Sequence, residues 1–268
     1  MTRIMGVLNV TPDSFSDGGK WASTDAAIRH GLLLRSEGAD VIDVGGESTR
    51  PGAGRVAPAV EQARVIPVIT ELARQGLVLS VDTLNASTAR AAAAAGASII
   101  NDVSGGLADP LMAGVAAESG LTFIAMHWRG HARTMDELAV YGDVVADVRA
   151  ELAWRVEALV AAGLPRERIV LDPGLGFSKL PAHNWTLLAN LAAFDMLGLP
   201  VMVGASRKRF LATALPEGAS IPARDLPSAV VSVLAAQAGA WAVRVHDVAA
   251  TRAALKVLSL VESARIEP

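Results

Sequence analysis

The chain has 268 residues, more than a small domain needs and close to the length of one (β/α)8 barrel. Its 51% hydrophobic content is enough for a large core and excludes a disordered chain, while a net charge of −3 argues against a general nucleic-acid or acidic-membrane binder. With no cysteine there can be no disulfide, thiolate metal site or cysteine nucleophile, and a reducing, cytoplasmic setting is expected.

In chain order, residues 4–8 read as a first strand with no secretory signal before it. It runs into Asn9-Val10-Thr11-Pro12-Asp13-Ser14-Phe15-Ser16-Asp17-Gly18-Gly19, and a helix is predicted over 24–36. The second strand, 40–44, carries Asp43 and leads to Gly45-Gly46-Glu47-Ser48-Thr49-Arg50-Pro51-Gly52, with a helix over 58–74. The third, 78–81, ends at Asp82-Thr83 before a helix at 87–95, and the fourth, 98–101, ends at Asn101-Asp102. The fifth, 122–126, meets His127-Trp128-Arg129 and precedes a helix over 144–162. The sixth, 169–171, opens into Asp172-Pro173-Gly174-Leu175-Gly176-Phe177-Ser178-Lys179, and the seventh, 201–203, leads to Ser206-Arg207-Lys208-Arg209. The apolar stretch 228–243 is broken by Ser232 and Gln237 and is shorter than the roughly 20 residues that span a bilayer. It reads as a buried helix entering the eighth strand, 242–245, with Arg244, then His246-Asp247 and a last helix over 249–263. Gly38, Gly76, Gly96, Gly120, Gly163 and Gly239 stand where helices should stop.

Eight strand-helix units in one series predict a single-domain (β/α)8 barrel over residues 1–268, built on a parallel sheet. The competing open doubly wound sheet lacks the Gly-x-Gly-x-x-Gly that its dinucleotide-binding form needs after the first strand. Every strand ends on polar residues, and in a barrel these ends meet on one rim, where sites of this fold lie.

Asp82, Asn101 and Asp172 leave nearly apolar strands and are expected to point into the barrel mouth. There they either brace loops or hydrogen-bond a flat heterocycle with several N–H donors. Lys208 falls where a seventh βα loop should open a helix, as part of a solvated charge cluster or of an anion site. Arg244 and His246 share a side of the last strand and read as an anion subsite. The 9–19 segment is a turn-rich loop or a source of oxygen ligands for Mg2+. His127 and His131, four apart but in a loop, do not make a zinc site, and His30 and His183 read as surface or helix residues.

In this order the motifs at 6–19, 45–52, 80–83, 100–102, 172–177, 206–208 and 244–247 resemble those of the dihydropteroate synthases, from about Ile4 to the last helix. Met126-His127-Trp128-Arg129 looks like the actinobacterial form of the family. The resemblance implies condensation of 6-hydroxymethyl-7,8-dihydropterin pyrophosphate with p-aminobenzoate, dependent on Mg2+, in a homodimer that sulfonamides inhibit. It implies that Asp82, Asn101, Asp172 and Lys208 hold the pterin, that Asn9 and Asp17 serve Mg2+, and that Arg244 and His246, with Asn9, hold the pyrophosphate. Phe15, Thr49, Arg50 and Pro51 would close over p-aminobenzoate, whose carboxylate would lie near Arg209, where many bacterial members carry serine. Three alternatives stand beside it: a pterin-binding methyltransferase, a Schiff-base aldolase using Lys208, and an inactive paralogue that binds pterin without turnover.

Overall fold

The computed structural model describes residues 1–11, 20–47, 56–130 and 137–264 (for 20–23, the backbone alone). Eight parallel strands alternate with helices: β1 Arg3–Asn9, α1 Lys20–Ser36, β2 Val41–Gly45, α2 Pro58–Arg74, β3 Leu79–Asp82, α3 Ala86–Ala94, β4 Ile99–Asp102 and α4 Met112–Ser119. The second half continues with β5 Thr122–Met126, α5 Val144–Ala161, β6 Ile169–Asp172, α6 Pro181–Ala189, β7 Met202–Val203, α7 Asp225–Gln237, β8 Ala242–Val245 and α8 Val248–Ser263. The strand order is β6-β5-β4-β3-β2-β1-β8-β7. A parallel bridge between Leu171 and Val201, with the Leu171 N–H donating to the Pro200 carbonyl at 2.8 Å, joins β6 to β7 and closes the barrel.

The pleat sends alternate residues to opposite faces. Outward residues such as Ile42, Val81, Ile100, Phe123 and Leu171 form the main core with the helices. Inward residues Met5, Val41, Ile99, Ile124, Val170, Met202 and Ala242 form a separate apolar plug in the barrel. Helix starts follow from capping: Asp143 accepts from the Val145 and Ala146 N–H groups ahead of α5, and Asp247 accepts from the Ala250 N–H ahead of α8. All six predicted stop glycines have positive φ, Gly38 at 105°.

Two expectations need correction. The stretch 228–243 does contain a helix leading into β8, but that helix is not buried: Leu226, Val230 and Leu234 on α7 are exposed. The reason is periodic, since one stripe of α7 packs inward through Ala229, Val231 and Ala235 while an apolar stripe is left outside. Second, no α-helix opens at Lys208. A short 3-10 turn, Arg209–Ala214, stands there, and α7 starts only at Asp225. Among the described residues no helix is long and apolar enough to cross a membrane.

Candidate active site at the barrel mouth

Strand register stages the site. Asn9 pairs with Gly45, Gly45 with Asp82 and Asp82 with Asn101, so these four positions stand side by side on the rim. Asp82, Asn101 and Asp172 are buried, at 7%, 2% and 3% exposure, and Asp82 and Asn101 are joined through Asp43 and Arg244. The Arg244 guanidinium is shared by two carboxylates: Nε donates to Asp43 Oδ2 at 2.6 Å and Nη2 to Asp82 Oδ2 at 2.7 Å. Asp43 Oδ2 also accepts from Asn101 Nδ2 at 3.0 Å.

Across the mouth, Asp172 Oδ1 accepts from the Gly174 N–H at 2.7 Å. Gly204 leaves open the space between Asp172, Arg244 and Lys208: a Cβ there would lie 3.5 Å from Asp172 Oδ2, 3.8 Å from Arg244 Cβ and 3.9 Å from Lys208 Nζ. Lys208 Nζ donates to the Leu175 carbonyl and lies 4.5 Å from the centre of the Phe177 ring. Of the two readings open for Lys208, the solvated charge cluster does not form, because its side chain turns in towards the buried Asp172 carboxylate. Its neighbour Arg207 adopts φ 58°, a left-handed conformation rare for a branched-chain-free but bulky residue, and is clamped by Asp225 through Nε at 2.6 Å and Nη2 at 2.8 Å.

Burial sets the protonation equilibria. It pushes the Asp82 carboxyl up to about 7 against the pull of Arg244, and it raises Asp172 against Lys208 and the Gly174 N–H. Lys208 is lowered by burial to about 8, with Asp172 opposing. Arg244 is raised, because Asp43 and Asp82 outweigh its own desolvation. Burial thus works against the charged forms of Asp82, Asp172 and Lys208, and the opposite charges beside them offset part of that cost.

At the last strand, the Ser206 hydroxyl accepts from the His246 backbone N–H at 3.1 Å and stands 3.1 Å from His246 Nδ1. Arg209 is exposed at the start of the 3-10 turn, outside the buried cluster. Phe15, Asp17, Thr49, Arg50, Pro51 and His131 lie outside the described residues.

Sequence reasoning passed over four residues. Asp43 was visible as an acid inside the apolar run Val41-Ile42-Asp43-Val44, yet nothing in that run names Arg244 as its partner. Glu61, on α2, accepts from Thr83 Oγ1 at 3.0 Å, Asn85 Nδ2 at 2.8 Å and Thr88 Oγ1 at 2.6 Å, and so braces the loop after Asp82. Lys179 and Glu151 are the other two. Helix charge patterns give no sign of such contacts, which only the packed barrel creates.

Comparison with known proteins agrees with this geometry. The model of the pterin binding enzyme family matches residues 5–246. A dihydropteroate synthase from Mycobacterium leprae is 52% identical over 261 residues, covering 96% of this chain and 92% of the relative. The structure of Xanthomonas albilineans dihydropteroate synthase with 4-aminobenzoic acid superposes with a TM-score of 0.92 at 45% identity, covering 98% of this chain and 94% of that one. A sulfonamide drug complex of Yersinia pestis dihydropteroate synthase gives 0.91 at 40% identity, with 98% and 95% covered.

Proposed function

The chain belongs to the pterin-binding enzymes, and within them to the dihydropteroate synthases, and from that premise we propose how its barrel mouth does the work. It joins 6-hydroxymethyl-7,8-dihydropterin pyrophosphate to p-aminobenzoate, giving 7,8-dihydropteroate and pyrophosphate. The observation that carries this reading is the set of buried Asp43, Asp82, Asn101 and Asp172 with the half-buried Arg244 and Lys208 beside them, Arg244 tying Asp43 to Asp82 and Asp43 holding Asn101.

Asp82, Asn101 and Asp172 take the N–H edges of the pterin, and Lys208 its carbonyl edge. Arg244 and His246 face the pyrophosphate. As the methylene C–O bond breaks, its electron pair leaves on the pyrophosphate oxygen and positive charge grows on the carbon and ring. The Asp172 carboxylate, set in a low-dielectric pocket, stabilises that charge, while Arg244 and His246 stabilise the charge on the leaving group. The neutral aniline nitrogen then forms the new C–N bond and gives up one proton to solvent or the departing pyrophosphate. This SN1-like course needs no covalent enzyme intermediate. Phe15, Thr49, Arg50 and Pro51 cover p-aminobenzoate, whose carboxylate approaches Arg209.

Among the described residues no group of three or more His, Asp or Glu is placed to hold a metal. Mg2+ carried on pyrophosphate needs fewer protein ligands, since it keeps waters and phosphate oxygens and takes one or two side-chain oxygens. Asn9, level on the rim with Gly45 and Asp82, offers one such oxygen, so the residues fit, with Asp17 as its partner. When bound, Mg2+ neutralises charge on the leaving group.

The same reading includes a single domain, a cytoplasmic setting and a homodimer. The exposed α7 stripe of Leu226, Val230 and Leu234 continues onto Val257, Leu260 and Val261 of the neighbouring α8, an apolar surface suited to a second copy. Sulfonamides compete for the p-aminobenzoate site.

The test is pyrophosphate release from purified protein given the pterin pyrophosphate and Mg2+, with and without p-aminobenzoate. Release that requires p-aminobenzoate and yields dihydropteroate is the expected result. Tight pterin binding without turnover would identify an inactive paralogue, and no pterin binding would overturn the reading.

A further inference from the structure

A second buried ammonium lies behind the pocket and has no part in the chemistry above. Lys179 is 7% exposed, and its Nζ has three acceptors: the Gly174 carbonyl at 3.0 Å, the Phe177 carbonyl at 3.0 Å and His127 Nδ1 at 2.9 Å. Burial lowers Lys179 to about 7, with the nearby Asp172 carboxylate opposing; in its protonated form its three protons match these three partners. Because Nδ1 accepts, the His127 proton sits on Nε2, which donates to Glu151 Oε2 at 2.9 Å. Glu151 is held in turn by Arg129, whose guanidinium also lies 3.9 Å over the Tyr141 ring. Tyr141 closes the circuit by donating its hydroxyl proton to the Ser178 carbonyl at 2.9 Å. Protonation follows the same order: His127 is pushed down to about 4 by burial and by Lys179, and Glu151 down to about 2 by His127 and Arg129.

What this circuit holds is the loop 173–179, and the loop is shaped around Lys208. Its carbonyls are divided between two ammonium groups, Gly174 and Phe177 to Lys179 and Leu175 to Lys208. Gly174 has φ 69°, and a Cβ there would come within 2.4 Å of the His127 carbonyl, so the loop passes the β5 end in direct backbone contact. Ser178 is held at φ 48°, a conformation a non-glycine residue keeps only when its neighbours are pinned. Lys179 and Tyr141 pin it on both sides.

We propose that Lys179, backed by His127 and Glu151, is a positioning residue that fixes the 173–179 loop so that the Leu175 carbonyl and the Phe177 ring hold Lys208 in its pterin-binding place. The inference rests on the pterin reading of the site, and it assigns Lys179 no contact with substrate. Without its ammonium, the Gly174 and Phe177 carbonyls lose their shared donor, the loop relaxes, and Lys208 loses its seat. The loss falls first on pterin binding, because the 173–179 loop seats Lys208, whereas Arg244 is held by Asp43 and Asp82 and His246 lies beside Ser206, none of them on that loop.

The experiment compares the unmodified protein with Lys179→Met, which keeps the length of the side chain and removes the donors. Binding of the pterin pyrophosphate is read by calorimetry and the KM and kcat of turnover by pyrophosphate release. The expected result is a pterin Kd and KM raised about tenfold or more, with kcat lowered by less than about tenfold, well short of the roughly hundredfold loss expected when the Lys208 ammonium itself is removed, because that ammonium is still present but no longer seated. A folded Lys179→Met with Kd and KM within about twofold of the parent would overturn the proposal. If that variant does not fold, Glu151→Ala decides. Its side chain is one-third exposed, and its loss frees His127, so pterin KM should rise about threefold. An unchanged KM there overturns the proposal equally. Failure of the parent to bind pterin at all would instead sink the functional reading, so the two failures are told apart.

Discussion

The barrel interior has two layers on the same strands, and they differ in almost everything but geometry. Val41, Ile99, Val170 and Ala242 belong to the apolar plug; two residues further along the same strands stand Asp43, Asn101, Asp172 and Arg244. That step is about 7 Å along a strand and returns the side chain to the same face. The lower layer excludes water from beneath, so the charges above it lie on an apolar floor, and their interactions are stronger than they would be in solvent. One layer thus makes the barrel, and the other uses the low dielectric that the first provides. If this division is real, substitutions in the two layers should move different observables.

The largest effect belongs to the upper layer. Asp172→Asn, Lys208→Ala and Arg244→Ala should each lower turnover at least about a hundredfold, the usual loss for one preorganised electrostatic group, while circular dichroism still reports a folded barrel. Near-normal rates in these variants would remove their assigned roles. The lower layer should behave the other way round. Ile124 is fully buried in the plug, and Ile124→Ala should destabilise the protein by about 2–4 kcal/mol in urea titrations through lost transfer energy and a cavity. Turnover per folded molecule should stay within about twofold. A large fall in turnover at unchanged stability would mean that the plug shapes the pocket and the two layers are not separable.

Much of this division was legible in the sequence because a short apolar run that ends on a polar residue is a local signal. The eight strands and the inward aim of Asp82, Asn101 and Asp172 follow from such runs, and the glycine stops from the ends of the helical segments between them. What stayed hidden depends on closure. Arg244 meets Asp43, 201 positions away, only because β8 and β2 flank β1, and no spacing rule reports such a pair. Lys208 looked like a helix-start cation because its neighbours are charged, and the buried carboxylate that draws it inward lies 36 positions earlier. The exposed stripe of α7 was likewise invisible, since an apolar helix reads the same whether its outer face meets protein or not.

The smallest effect tests the protonation order behind the upper layer. His127 has a folded-state pKa of about 4 against an ordinary 6.5, lowered first by burial and then by Lys179, with Glu151 opposing. Between those two values the unfolded chain binds a proton that the folded protein refuses. The group therefore contributes stability that is fully present above 6.5 and is lost as pH falls towards 4. Asp82 and Asp102, raised by burial to about 7 and about 6, act in the opposite sense over part of that window, so the total slope is uninformative. A difference isolates the histidine. In His127→Gln nothing titrates at this position, and its stability relative to the parent should rise by ~2 kcal/mol between pH 7 and 4.5. Glu151, lowered to about 2, titrates mainly below that range, Lys179, lowered by burial to about 7, is protonated through most of it, and Arg129 stays charged throughout. Urea unfolding of both proteins at four or five pH values measures it. Parallel curves would mean that His127 titrates near its ordinary 6.5 in the folded protein, so neither burial nor the Lys179 ammonium holds it neutral on the acid side and the brace must be drawn differently.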